Sequence, residues 1–170
     1  MEDRELTAFA KKAAQLLINK LSERSHTLAL AESCTAGLVS SLLASVPGAS
    51  DALWGSFVCY SQAAKISMLS IPREKLLNCG LVSGETAALM AASALERSGA
   101  DIAAAVTGLA GPKGDGSNVA VGTVWVATSS KNAMRDGTSS AREFHFSGSR
   151  NEVRLRAATA VFECLQNALT

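Results

Sequence analysis

The chain has 170 residues, within the ~100–200 typical of one domain, and a globule of that length buries about 70% of the surface its unfolded chain exposes. Apolar residues make up 48% and charged residues 18%, which excludes disorder by composition. A net charge of +1 provides no basic field for a nucleic-acid backbone or an anionic membrane, so neither is expected as a partner.

The periodicity predicts an amphipathic helix over 3–22, with Leu6, Phe9, Ala10, Ala13, Leu17 and Leu21 on its apolar face. A short apolar strand, Thr27 to Ala31, leads into Glu32-Ser33-Cys34-Thr35-Ala36-Gly37 and a helix from Gly37 to Ser45, stopped by Pro47-Gly48. Trp54 to Tyr60 reads as a strand, Gln62 to Leu69 as a short helix, and Pro72 opens another ending near Cys79-Gly80. Ser83 caps a helix that runs through Arg97 and closes at Ser98-Gly99. Ile102 to Val106 is a buried strand, Thr107 to Asn118 a glycine-rich loop, and Val121 to Thr128 and Arg142 to Phe146 are further strands. Ser149-Arg150-Asn151-Glu152 is a capping-box pattern opening a last helix that carries Leu155, Ala158, Phe162, Leu165 and Leu169. Strands alternating with helices predict an α/β fold, a three-layer α/β/α sandwich, in one domain over residues 1–170. The last two strands have no helix between them, so the central sheet is expected to be mixed.

Cys34, Cys59, Cys79 and Cys164 lack metal-ligand spacing, and only His26 and His145 could assist them; no metal site is expected. The start Met1-Glu2-Asp3-Arg4-Glu5 is acidic, without the apolar run of a signal peptide, and no segment approaches the ~18 apolar residues of a membrane span. The expectation is a cytoplasmic protein with reduced thiols.

Ser33 is the first candidate for chemistry, because a tight strand-to-helix turn projects a side chain beyond the sheet. The N–H groups of Cys34 and Thr35, with the positive end of the next helix, are the nearest donors for an oxyanion. The plainer reading is that Ser33 or Thr35 caps that helix. Cys34 is a rival nucleophile or a small buried hydrophobe. Neither histidine sits in a triad pattern, which turns attention to Lys65, just beyond a strand end among apolar neighbours, and to Tyr60, the only tyrosine. A neutral lysine base near pH 7 needs its pKa about three units below ~10.4, roughly 4 kcal/mol, which requires a closed site. With a smaller shift Lys65 stays charged and steers the proton through Tyr60; a solvated lysine is the alternative. The loop Thr107-Gly108-Leu109-Ala110-Gly111-Pro112-Lys113-Gly114-Asp115-Gly116 matches neither a P-loop nor a dinucleotide fingerprint. It is an anion nest or a plain turn. Arg150 offers a fork of donors for a phosphate, or lies on the surface.

The order of these segments is more specific than any one of them. Ala31-Glu32-Ser33-Cys34-Thr35-Ala36-Gly37, Tyr60-Ser61-x-x-Ala64-Lys65, Val82-Ser83, Thr107-Gly108-x-Ala110-Gly111-Pro112, Val121-Gly122-Thr123-Val124-Trp125 and Phe146-Ser147-Gly148-x-Arg150-x-x-Val153-Arg154 follow one another. Together they resemble the C-terminal domain of the competence/damage-inducible protein CinA, which also occurs as a stand-alone nicotinamide-nucleotide amidase. The resemblance implies hydrolysis of the carboxamide of nicotinamide mononucleotide to nicotinate mononucleotide and ammonia, in pyridine-nucleotide salvage. It implies Ser33 as nucleophile, Lys65 and Tyr60 handling its proton, and Cys34, Thr35, Gly37, Thr107, Gly108, Gly111 and Arg150 around the nucleotide. No cofactor is implied, and a homo-oligomer is. Two departures stand out. Ala36 replaces the first of two glycines, and the loop from Lys113 to Ala120 lacks the family's acidic start, glycine pair and Lys-Pro return. A paralogue that binds a nucleotide without hydrolysing it, or with altered specificity, is the alternative.

Overall fold

A computed structural model describes residues 3–131 and 140–170; Met1 and Glu2 of the acidic start lie outside the described residues. In chain order the elements are α1 (Asp3–Glu23), β1 (Leu28–Glu32), α2 (Leu38–Ala44), α3 (Ala49–Ala52), β2 (Leu53–Val58), α4 (Gln62–Leu69), α5 (Arg73–Cys79), α6 (Gly84–Ser98), β3 (Ile102–Gly108), β4 (Thr123–Ser130), β5 (Ser140–His145) and α7 (Arg150–Ala168). The strands form one sheet in the order β2-β1-β3-β4-β5. The β1–β2 and β1–β3 pairs are parallel, and β3–β4 and β4–β5 antiparallel. The sheet is mixed, as expected; the connection between the last two strands, for which no helix was expected, falls at 132–139, outside the described residues.

Alternation along the buried strands makes the three layers. Leu28, Leu30, Ile102, Ala104, Val106, Val124 and Val126 face a cluster built by α1, α2, α3 and α7. Ala29, Ala31, Ala103, Ala105 and Ala127 face the opposite cluster, where Ala87, Ala91 and Ala94 of α6 meet them. Alanine on both surfaces lets α6 lie close to the sheet; at its first residue, Gly84, a Cβ would come within 2.9 Å of the Trp125 ring. The expected caps of α6 and α7 are present: Ser83 Oγ accepts from Thr86 N at 3.1 Å, and Ser149 and Glu152 form the reciprocal box that starts α7.

Several boundaries differ from the expectations. Phe9 is 55% exposed rather than buried, because the buried face of α1 is set by Leu6, Ala10, Ala13, Ala14, Leu17, Ile18 and Leu21. The short helix α3 has no separate sequence signal. Strand β2 stops at Val58, so Tyr60 lies beyond it. Strand β3 continues through Gly108, which shortens the glycine loop at its start. There a Cβ would sit 2.7 Å from the carbonyl oxygen of Thr123 on the neighbouring strand, so close strand packing requires Gly108.

The topology also fixes where a site can form. From β1 the chain passes to β2 through α2 and α3 on one face, and from β2 to β3 through α4, α5 and α6 on the other. Two adjacent parallel strands that send their chains to opposite faces open a crevice at their carboxyl ends. Ser33 follows β1 at that crevice, and the Cys59–Lys65 segment follows β2.

Candidate active site

Lys65 and Ser33, thirty-two positions apart, meet in the crevice. Lys65 Nζ donates to Ser33 Oγ at 2.9 Å and to the carbonyl oxygen of Cys59 at 2.9 Å. Lys65 is 1% exposed, on a helix whose N-cap, Ser61, accepts from Ala64 N. Burial pushes its pKa below the ordinary lysine value, while the neighbouring Cys59 and Cys34 draw it back up. A buried lysine with two oxygen partners and, among the described residues, no carboxylate ion pair leans towards its neutral form.

The turn that carries Ser33 is held from several directions. Ser33 N donates to the Val106 carbonyl at 3.0 Å, and Ala36 N to the Ser33 carbonyl at 3.0 Å. The expected cap of α2 by Ser33 or Thr35 is not what the structure has: Glu32, fully buried, does that work. Its Oε2 accepts from Thr35 Oγ1, Gly37 N and Val39 N, and its Oε1 from Ser40 N, Ser40 Oγ and Ser56 Oγ. The physical reason is that a carboxylate offers more acceptor positions than a hydroxyl and carries the charge a helix N-terminus favours. The positive end of α2 is therefore engaged by Glu32 and is not available to an oxyanion.

Ala36 lies at φ 49° and Gly37 at φ 90°. The alanine thus occupies the left-handed region, at a cost of ~1–2 kcal/mol for an L-residue. Ala36→Gly is expected to raise stability by about 0.5–1 kcal/mol, since glycine's larger unfolded-state entropy offsets part of the relief. A thermal melt showing no gain would contradict this.

The other expected residues form a rim. Arg150 donates through Nη2 to Tyr60 Oη at 2.7 Å and through Nη1 to the Gly111 carbonyl. It thereby joins the start of α7 to the segments after β2 and β3. Tyr60 is 56% exposed, and among the described residues no hydrogen bond joins it to Lys65 or Ser33. Passage of the Ser33 proton through Tyr60 has no contact here, because Arg150 holds the phenol at the rim. Thr107 is buried and its hydroxyl donates to the Leu81 carbonyl at 2.8 Å, so it ties β3 to the segment before α6. Sequence reasoning also passed over Arg154 as a site residue: its Nη2 donates to the Thr35 carbonyl at 2.7 Å. The four-residue step from Arg150 on one helix was the available signal.

The CinA C-terminal domain model matches residues 10–169. The chain belongs to the CinA C-terminal domain family. Among related CinA-like proteins, that of Prochlorococcus marinus (strain AS9601) is 47% identical over 117 residues, covering 69% of this chain and 28% of its own length. That of Thermotoga neapolitana is 37% identical over 159 residues, 94% of this chain and 38% of its own length. The chain thus spans about a third of the length of these CinA-like relatives. Solved structures of similar size include the competence/damage inducible protein CihA from Agrobacterium tumefaciens, with TM-score 0.87, 35% identity and 95% of each chain covered. A CinA superfamily protein from Escherichia coli gives TM-score 0.86 and 30% identity, covering 94% of this chain and 90% of the other.

Within this CinA domain the described residues contain no group of three or more His, Cys, Asp or Glu arranged to hold a metal, and no helix long and apolar enough to cross a membrane. All four cysteines are free thiols. Cys34 is 6% exposed and burial pushes its thiol up to about 12, so its thiolate fraction at pH 8 is on the order of one in 10⁴. Iodoacetamide at pH 8 is expected to label the half-buried Cys79 well before Cys34, as read by peptide mass; rapid labelling of Cys34 would restore it as a nucleophile.

Proposed function

We propose that this CinA domain is a serine-nucleophile amidase that hydrolyses nicotinamide mononucleotide to nicotinate mononucleotide and ammonia. The observation that carries the reading is the 2.9 Å contact between Ser33 Oγ and a lysine amine that is 1% exposed. A neutral Lys65 accepts the Ser33 proton as Oγ bonds to the carboxamide carbon, and the developing oxyanion is received by backbone donors after Ser33. Collapse of the tetrahedral adduct breaks the C–N bond, and Lys65 returns the proton to the departing ammonia. Water, deprotonated by the same amine, then cleaves the acyl ester and frees Ser33. No cofactor enters this sequence of steps. Arg150, with Tyr60 and the Thr107–Gly111 segment, would meet the phosphate and ribose by displacing its present contacts.

The test is ammonia release from nicotinamide mononucleotide beside free nicotinamide and the full dinucleotide. Rapid release from the mononucleotide with little from free nicotinamide is expected. The exposed, altered loop from Lys113 to Ala120 favours one other reading, a nucleotide-binding module without turnover. Calorimetric binding of the mononucleotide with no ammonia after long incubation would select it.

The depressed lysine fixes the direction of pH dependence. Activity is expected to rise with pH through the lowered Lys65 pKa and then level, because the neutral amine is the base. In the folded state the charged amine is disfavoured relative to the unfolded chain. The cost to stability is fully present below the folded pKa and is relieved as pH climbs towards ~10.4. Lys65→Met should therefore lose ammonia release by at least ~10²-fold while leaving the neutral-pH melting temperature unchanged or higher. A variant that keeps activity would dismiss Lys65 as the base.

A further inference from the structure

Five backbone N–H groups run from Ser33 to Gly37. That of Ser33 goes to Val106, that of Ala36 to the Ser33 carbonyl, and that of Gly37 to Glu32 Oε2. Among the described residues no oxygen acceptor meets the N–H of Cys34 or Thr35. These two flank the nucleophile on its helix side, where a tetrahedral oxyanion develops. They sit immediately before the left-handed Ala36, so their orientation depends on how the Thr35–Ala36 peptide is held.

We propose that Arg154 is a positioning residue for this oxyanion hole, acting through the Thr35 carbonyl; the proposal rests on the amidase reading above. The Thr35 carbonyl accepts from Arg154 Nη2 at 2.7 Å and from Leu38 N at 3.1 Å, and the Thr35 hydroxyl donates to Glu32 at 2.9 Å. Leu38 and Glu32 belong to the same local segment, so Arg154, 119 positions downstream in α7, is the long-range tie. Its peptide partner cannot rotate out of plane without breaking a charge-assisted hydrogen bond. Arg154, half-buried, also sets a cation beside a turn whose buried charge, the Glu32 carboxylate, opposes an oxyanion. Together Arg150 and Arg154, one helical turn apart on α7, reach all three strand ends around the crevice. Arg150 holds the rim, and Arg154 the floor beside Ser33.

The test compares Arg154→Met and Arg154→Lys with the unaltered protein by two readouts. One is steady-state ammonia release from nicotinamide mononucleotide. The other is the rate at which an alkyl fluorophosphonate modifies Ser33, followed by intact mass. In that reaction Oγ bonds to phosphorus, the P–F bond breaks, the serine proton passes to Lys65 and fluoride leaves, with the phosphonyl oxygen in the hole. Arg154→Met is expected to lower kcat by about 10–100-fold with KM changed less than about threefold, and to slow labelling by a similar factor. Arg154→Lys, which keeps one donor and the charge, should recover part of both. A large rise in KM with kcat intact would overturn the proposal and assign Arg154 to the phosphate. So would unchanged rates per folded molecule with a lowered melting temperature, which marks a purely structural arginine. If Arg154→Met does not fold, the lysine variant decides by the same split. If the unaltered protein labels but releases no ammonia, the amidase reading fails while the labelling ratio still decides Arg154. If it hydrolyses without labelling, the kcat and KM split decides; if it does neither, both readings fall.

Discussion

Ser33→Ala is expected to lower ammonia release from nicotinamide mononucleotide by ~10⁴-fold or more, while the protein stays folded. The size follows from removing the atom that forms the acyl bond; what remains is whatever binding and oxyanion donors can do for direct attack by water. The stability effect should be small because Ser33 sits at the end of β1 and its backbone bond to Val106 is kept. Lys65 loses one acceptor at 2.9 Å but retains the Cys59 carbonyl. Losing one hydrogen bond to a buried amine costs about 1–2 kcal/mol, or a melting shift of roughly 2–8 °C at this chain length. Burial then acts on Lys65 with less compensation, so the amine stays neutral rather than adding a buried charge. Cys34→Ala, one position on, should leave most of the activity, since its thiol is held protonated by burial. Residual turnover in Ser33→Ala that disappears only in the Ser33→Ala, Cys34→Ala double variant would instead make the thiol the nucleophile.

The sequence carried the helices and their caps well, because those signals are local. Ser83 and Ser149 cap through bonds to residues three positions away, and a capping box can be seen in four letters. The layers were legible from alternating strands and helices. The alanine-rich inner face of the sheet was not, since a run such as Ile102 to Val106 is apolar on both sides and shows no period. At the site the pairing of Ser33 with Lys65 was anticipated from the lysine's apolar surroundings together with the resemblance. Glu32 was missed because carboxylates are rarely buried and its donors come from the turn after β1, the first turn of α2 and a neighbouring strand. Arg154 was missed for a related reason: its four-residue step from Arg150 puts the two on one helix face, but nothing in local spacing names a partner 119 positions away. The resemblance gives Tyr60 a share in handling the Ser33 proton; two residues beyond the end of β2, its hydroxyl accepts from Arg150. Ala36 marks the opposite case, where a departure from a glycine pattern led to the left-handed backbone that the fold contains.

Glu32→Gln should separate architecture from chemistry at the adjoining position. Each carboxylate oxygen of Glu32 receives three donors: Thr35 Oγ1, Gly37 N and Val39 N on one, and Ser40 N, Ser40 Oγ and Ser56 Oγ on the other. A glutamine must put its NH₂ towards one of these sets. Facing Gly37 and Val39 it would confront two backbone N–H groups that cannot turn round. Facing Ser40 and Ser56 it meets two hydroxyls that can rotate to accept and only one fixed N–H. The second orientation is therefore the one the variant adopts, leaving Ser40 N without its acceptor and every remaining bond without a charge. Losing one charge-assisted bond, stranding a buried donor and weakening the rest costs about 3 kcal/mol, or a fall in melting temperature of roughly 6–12 °C at this chain length. Because the carboxylate links β1, α2 and β2, the loss should be shared by all three. Hydrogen exchange is expected to rise at Val39, Ser40 and Ser56 together rather than at α2 alone. A shift of less than about 2 °C would mean that the three donors on each oxygen are satisfied as well by a neutral amide, and that the buried charge is not what holds the Ser33 turn.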